Sequence, residues 1–246
     1  MGWFQRIESN SNTQAVRPGL PRKVLHHLIV KGDLAVGARI LDVGCGRGEL
    51  VQFLDQLGFD AAGIDDSREN IAVARHRVPS LDFRCLRADE ITAAGQHTLD
   101  LVLVRDFDAY RENLNSPAAL KTTANLLSCV TPGGFLVFLV RSDSVSNSAN
   151  CGHHIACYAK HLLEFPGHCE TTGLSNGFDQ PQTWRSLLAG GPRSGFVTVT
   201  IRLPREPVGR CNWLRLADQA AAAHRQPCCR RFAELHPETA ESRSAA

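Results

Sequence analysis

No stretch of this 246-residue chain approaches the roughly 20 apolar residues that a membrane-spanning helix needs. Its longest uninterrupted apolar run, Phe135-Leu-Val-Phe-Leu-Val140, has the length of a core strand. Neither sign of charge dominates. Lys and Arg number 27 against 25 Asp and Glu, a formal net charge of +2, so the basic footprint of a dedicated nucleic-acid binder is missing. Lysine occurs only at 23, 31, 121 and 160, which reads as coding bias rather than recognition chemistry. With 43% hydrophobic and 21% charged residues, the composition excludes global disorder. Met1-Gly-Trp-Phe-Gln-Arg6 lacks the basic start and apolar middle of a secretory signal, and Arg6 stands where a myristoylation motif wants Ser or Thr. The expected address is cytoplasmic.

Nine cysteines, an odd number, are scattered through apparent strands and helices and do not form a secreted disulfide framework. Reduced thiols are expected. The length suits one domain with terminal extensions: an arm over 1–19, a domain over 20–203, and an irregular or partly disordered tail over 204–246.

Strand and helix patterns alternate from Pro21 onward. Val24, Leu25, Leu28 and Ile29 recur at helical spacing, and Arg39–Val43 is a short strand closed by glycines. A helix runs from Glu49 to Leu57, and Phe59–Ile64 is a second strand. Ser67 caps the next helix, Leu81–Cys85 is a third strand, and a short helix is expected near Glu90. Leu99–Val104 is almost continuously apolar, as buried parallel strands are. Ser116-Pro117 opens a helix to Val130, Thr131–Gly134 turns, and Phe135–Arg141 is a fifth strand. Such alternation implies right-handed βαβ units and a parallel sheet covered by helices on both faces. Past residue 141 the order changes: a polar loop over 142–150, a helix over Ile155–Phe165, an alternating strand Phe196–Leu203 read as a sheet edge, and a short helix near Trp213–Ala223.

The sharpest motif is Leu41-Asp-Val-Gly-Cys-Gly-Arg-Gly48. Glycines at every second position between a strand and a helix let a ligand approach the backbone and leave helix N-terminal N–H groups available. The third glycine comes one residue too early for the dinucleotide fingerprint, and no Gly-Lys-Ser/Thr follows, so a triphosphate loop is excluded. Asp65 ends the second strand where a carboxylate could accept both ribose hydroxyls, with little packing expected of it. Asp89 follows the third strand, in reach of an exocyclic amine. Two carboxylates suit a cationic ligand better than a phosphate.

The loop, Asp65, Asp89, Leu99–Val104 and Thr131–Gly134 together resemble a class I S-adenosylmethionine-dependent methyltransferase over residues 20–141. That resemblance implies a three-layer α/β/α Rossmann-like sandwich with a mostly parallel seven-stranded sheet and an antiparallel edge strand, using Phe196–Leu203 and His168–Thr172. It implies that Gly44, Gly46 and Gly48 wrap the methionyl part of S-adenosylmethionine, with Asp42 supporting the loop. Asp65 would hold the ribose, Ala88 and Asp89 the adenine, and Arg105 would lie beside the methionine moiety. Asp42 as a purely structural cap stays open. Cys45 is read as a small residue packed under the loop.

Asn-Pro-Pro-Tyr, the strand-four signature of many amine methylators, is absent; Val104-Arg-Asp-Phe-Asp-Ala-Tyr110 names no acceptor. On a helix, His154, Cys157, Tyr158 and His161 share one face. Three readings of that patch stay open: a substrate-facing helix on which His153, His154 or Tyr158 serves as base, with His154 the catalytic choice ahead of His153; a zinc cluster of Cys157, His154 and His161 with Cys151 or Cys169; or ordinary packing with solvated histidines. No metal is assigned. The expected activity is methyl transfer to a small-molecule acceptor, without membrane or nucleic-acid partners; the alternatives are an RNA or protein methyltransferase, or a non-catalytic domain that binds S-adenosylmethionine or a nucleotide.

Overall fold

The computed structural model describes residues 22–87, 90, 97–105, 107–111, 113–141, 153–175, 181–182, 195–224 and 228. Helix α1 (Arg22–Gly32) leads into β1 (Arg39–Val43), α2 (Glu49–Gln56), β2 (Asp60–Asp65), α3 (Arg68–Arg77), β3 (Asp82–Cys85) and β4 (Leu99–Val104). A 3-10 turn at Asp108–Tyr110 precedes α4 (Pro117–Cys129) and β5 (Val130–Arg141). Then come α5 (Ile155–Leu163), β6 (His168–Ser175), the two-residue β7 (Pro181–Gln182), β8 (Gly195–Arg202) and α6 (Arg210–Ala223). The caps expected at Ser67 and Ser116 are made: each side chain accepts from the backbone N–H three residues on, of Asn70 and of Ala119.

One sheet runs in the order β3-β2-β1-β4-β5-β8-β6-β7. The five strands β1 to β5 are mutually parallel, and β8 pairs antiparallel with both β5 and β6. This is the Rossmann-like architecture implied by the resemblance, with β7 as a small addition at the rim. The alternating strand near 196 is not outermost, however. Val140 faces Val197 on one side and Gly173 faces Val197 on the other, so β8 lies between two neighbours. One face of β8, Val197, Val199 and Ile201, is buried; on the other Thr198, only 1% exposed, donates to the carbonyl of Thr172 while Thr200 is half-buried and Arg202 exposed. Strand β5 also starts earlier than Phe135. Leu99 pairs with Val130 and Leu101 with Phe135, so residues Thr131–Gly134 bulge out of the ladder.

Two apolar layers pack on the sheet. Val43, Val102, Val104, Leu136 and Phe138 face α4, α5 and α6, while Ile40, Leu101, Leu103, Phe135 and Val137 face the α2 and α3 side. Trp213, Ala217 and Ala220 of α6 join the first layer, so the packed body reaches past residue 203. A polar chain crosses that same layer. The Nδ1 of His161 donates to the Leu114 carbonyl at 2.8 Å, because a carbonyl can only accept. Its Nε2 therefore accepts from the Thr123 hydroxyl at 2.7 Å, and the Tyr110 hydroxyl donates to Thr123 at 2.9 Å. The chain ties α5 to α4 and to the 3-10 turn with every donor direction fixed. Burial lowers the His161 pKa from 6.5 to about 4, and burial holds the Tyr110 hydroxyl protonated.

The neutral ring at His161 sets a pH dependence. Above pH 6.5 the folded and unfolded chains both keep it neutral. As the pH falls below 6.5, the unfolded chain takes up a proton that the folded chain refuses, so stability drops until the folded ring itself titrates near 4. Denaturant unfolding at fixed pH across this window is expected to show that loss in the wild type and a flatter difference curve for His161→Gln, whose amide can donate and accept in the same place. Equal slopes in both proteins would contradict the assignment.

Candidate functional site

The strand order reverses between β1 and β4, and the cleft forms at the carboxyl ends flanking that reversal. Here the chain leaving β1 runs hard against the chain leaving β4. A Cβ on Gly44, whose φ is +79°, would stand 1.7 Å from the carbonyl oxygen of Arg105. No side chain fits there. The backbone N–H groups of Gly44 and Cys45 both donate to the Ile64 carbonyl, at 2.8 and 3.0 Å, which seats the loop on β2. Gly46 also has a left-handed φ of +56°, but a Cβ on it would meet nothing within 4 Å, so its α-carbon faces open space. Gly48 precedes α2 beneath the ring of Phe83.

Asp65 is 6% exposed and binds inward. Its Oδ2 accepts from the Gly46 N–H at 2.8 Å, and its Oδ1 from the Ser67 N–H at 3.0 Å and the Asn70 side chain at 3.3 Å. The expectation that Asp65 carries little packing is therefore corrected: it joins the end of β2, the glycine loop and the start of α3. A carboxylate offers about four acceptor positions, so about one remains for a ligand hydroxyl unless the long Asn70 bond gives way. Accepting both ribose hydroxyls needs that release. Sequence reading passed over Asn70, whose only signal was its place in the first turn of the helix after Asp65.

Asp42 is fully buried, and its two oxygens take Nε and Nη2 of Arg105 in a bidentate pair. It thus acts on the cleft by fixing Arg105, whose side chain is 24% exposed. Taking away one partner of such a pair strands a buried charge, at a cost on the order of 3–5 kcal/mol. Cys45 packs against Gly63, and burial, then Asp42 and Asp65, push its thiol far up, so it stays protonated. Ala88 and Asp89 lie outside the described residues, as does Asp106.

The structure does not gather the histidine patch on one helix face. Helix α5 begins at Ile155, and His154 is its N-cap, exposed, with Nδ1 accepting from the Ala156 N–H at 3.3 Å. A residue outside the helix has no share in its face, so the argument that preferred His154 over His153 fails. His161 is core, as described above. His153, 2% exposed, is the ring that meets Tyr158, with centroids 5.8 Å apart. Among the described residues no group of three or more His, Cys, Asp or Glu is disposed to hold a metal. The topology still brings both histidines to the cleft side. Strand β6 starts at His168 opposite Arg202, which pairs with Phe135, the first β5 residue past the bulge, so α5 descends from the carboxyl end where the glycine loop lies.

Comparison with known proteins agrees with this geometry. The family model described as "Methyltransferase domain" matches residues 15–190. A ubiquinone biosynthesis O-methyltransferase from Neisseria meningitidis serogroup C (strain 053442) is 29% identical over 136 residues, 52% of this chain and 53% of that protein. One of the same name from Caulobacter sp. (strain K31) is 32% identical over 165 residues, 63% of this chain and 59% of that protein. The chain thus spans roughly half the length of the curated relatives it matches. Among solved structures, a TehB-like SAM-dependent methyltransferase from Corynebacterium glutamicum superimposes with a TM-score of 0.51 at 17% identity, covering 81% of this chain and 94% of that one. Phosphoethanolamine N-methyltransferase 2 of Haemonchus contortus, in complex with S-adenosyl-L-methionine, gives 0.55 at 15% identity, covering 83% and 60%. These two show the fold alone. Because the family model covers well over half of the chain, and does so across the strands that build the cleft, the chain belongs to the methyltransferase domain family, in its class I S-adenosylmethionine-dependent form.

Proposed function

We propose that this chain transfers a methyl group from S-adenosylmethionine to a hydroxyl of a small molecule. The observation that carries the reading is the open backbone at Gly46, held by Asp65, in a loop whose Gly44 abuts the Arg105 carbonyl and admits no side chain. The donor set fits the cofactor. The two buried carboxylates, Asp42 and Asp65, outnumber the single guanidinium of Arg105, which favours a cation, while Arg105 suits the carboxylate of an amino acid. The hydroxyl as acceptor rests on relatives that are named O-methyltransferases.

Bound S-adenosylmethionine supplies a methyl group already activated on a sulfonium. The chain's part is then mainly to bind and orient. Gly44, Gly46 and Gly48 bring the backbone against the methionyl part, Arg105 takes its carboxylate, and Asp42 keeps that guanidinium in position. Asp65 accepts from a ribose hydroxyl, with Asn70 yielding to the second. Ala88 and Asp89 are assigned to the adenine on their sequence position. The exposed imidazole of His154, at the cleft end of α5, is taken as the proton acceptor in preference to His153, which is 2% exposed and packed against Cys228 and Tyr158. In a neutral imidazole only one nitrogen can accept, and here it caps α5, so His154 must release the Ala156 N–H before it takes a proton.

Titration calorimetry is expected to give S-adenosylmethionine or S-adenosylhomocysteine a dissociation constant in the micromolar range, about −8 kcal/mol. Asp65→Ala should weaken binding by roughly one to two orders of magnitude, since a bond to a charged acceptor contributes about 1.5–3 kcal/mol. Heat from a nicotinamide dinucleotide and none from either sulfur compound would refute the cofactor.

The role of His154 is read by comparing two substitutions, with release of S-adenosylhomocysteine measured over a panel of phenolic acceptors. His154→Asn keeps an N-cap acceptor but no base, whereas His154→Ala removes both and is expected to cost about 1 kcal/mol of stability. A base predicts that both variants lose most of the transfer while binding cofactor normally. Full transfer by His154→Asn would reduce the residue to a cap.

A further inference from the structure

Cys228, which follows α6, is held against the opposite end of α5 from His224. At one end the Nε2 of His224 meets Glu164, the C-cap of α5, at 2.7 Å. At the other, the Cys228 N–H donates to Asn113 at 3.0 Å, and its sulfur lies 3.2 Å from Nδ1 of His153. The thiol of Cys157, on the first turn of α5, donates to the Cys228 carbonyl at 3.3 Å. Helix α5 is nine residues long, about 13 Å. Cys228 thus sits at the cleft end of α5, where the Cys157 thiol, 71 residues away in sequence, meets both its backbone carbonyl and its thiol.

We propose that Cys157 and Cys228 are an oxidation site, a thiol pair that closes to a disulfide and fastens the segment after α6 to the cleft end of α5. This inference is independent of the methyl acceptor. With glutathione disulfide as the oxidant, the more exposed Cys228 attacks first as its thiolate, breaking the S–S bond and releasing one glutathione thiolate. Cys157, deprotonated in turn, attacks the Cys228 sulfur of the mixed disulfide and releases the second. Two cysteine thiols lose two protons and two electrons, and one glutathione disulfide becomes two glutathione thiols. The proximity of the Cys157 thiol, followed by burial, pushes the Cys228 thiol up to about 12, so closure is slow at neutral pH. Closure also removes the S–H beside His153.

The test uses the full chain, reduced, desalted and incubated with glutathione disulfide at mildly alkaline pH. The expected product is about 2 Da lighter. Its non-reduced peptide map joins the peptides carrying Cys157 and Cys228, the same link forms in Cys229→Ser, and dithiothreitol reverses it. Closing a loop of that length should raise the melting temperature by on the order of 5 °C. Four results would each overturn the proposal: no mass loss, a bond mapped to Cys228–Cys229 or another pair, a glutathione adduct on Cys228 that never closes, or a mass loss that survives in Cys157→Ser.

Discussion

The cleft rests on one steric contact, the passage of the chain leaving β1 against the chain leaving β4. Because the Arg105 carbonyl occupies the place of a Cβ at position 44, the two strand ends are locked at contact distance. The Arg105 N–H reinforces this by donating to the Val43 carbonyl at 2.8 Å, and the buried Asp42 carboxylate then holds the same residue by its guanidinium. Asp65 clamps the other side of the loop. With both flanks fixed by bonds within the protein, the α-carbon of Gly46 is left facing open space. A ligand-binding edge made of fixed backbone needs no rearrangement of the loop itself to receive its ligand, so the ordering cost on binding is small, and the Asn70 amide is the side chain at Asp65 that has to yield.

The parts of the fold that were legible in the sequence are those decided locally. Ser67 and Ser116 announce helix starts because a side-chain oxygen satisfies an N–H that the helix leaves without a partner. Leu99–Val104 reads as a buried strand because both of its faces are apolar. The position of β8 was not legible. Phe, Val, Val, Ile and Leu alternate with Thr there, as in a strand with one wet face, yet Thr198 is buried and bonds a neighbouring carbonyl. Burial of a threonine is decided by what packs over it, and pairing partners depend on topology rather than on the strand's own pattern.

The same division runs through the site. The glycine spacing and Asp65 were visible because their geometry lies within one βαβ unit. What Asp65 does was not, since the donors that occupy it are a loop N–H 19 residues earlier and an asparagine one turn into the next helix. His161 looked like a solvated or metal-binding residue, because a lone histidine on an apolar face has no sequence mark of its partners. It is core, since Leu114 and Thr123 satisfy both ring nitrogens at once. His154 was misplaced by a single residue of helix phase: a residue at the cap points by loop geometry, and periodicity has no hold on it.

The electrostatics of the cleft also answer a chemical problem. A sulfonium donor is a strong electrophile, and a thiol stands in the loop that would wrap it. Cys45 is buried between Asp42 and Asp65, and burial together with those two charges disfavours its thiolate, with Arg105 offsetting only part of the effect. The carboxylates are themselves largely committed, Asp42 to the guanidinium and Asp65 to backbone and amide donors, with about one acceptor position of Asp65 left for a ligand hydroxyl. Arrangements that attract a cation usually do so with nucleophilic atoms. Here the attraction acts through charges whose donors are already in place, and the one soft nucleophile in the loop keeps its proton. Among the described residues of the loop, the donor meets a thiol that keeps its proton and carboxylates that are already engaged, and the methyl acceptor is left to arrive from outside.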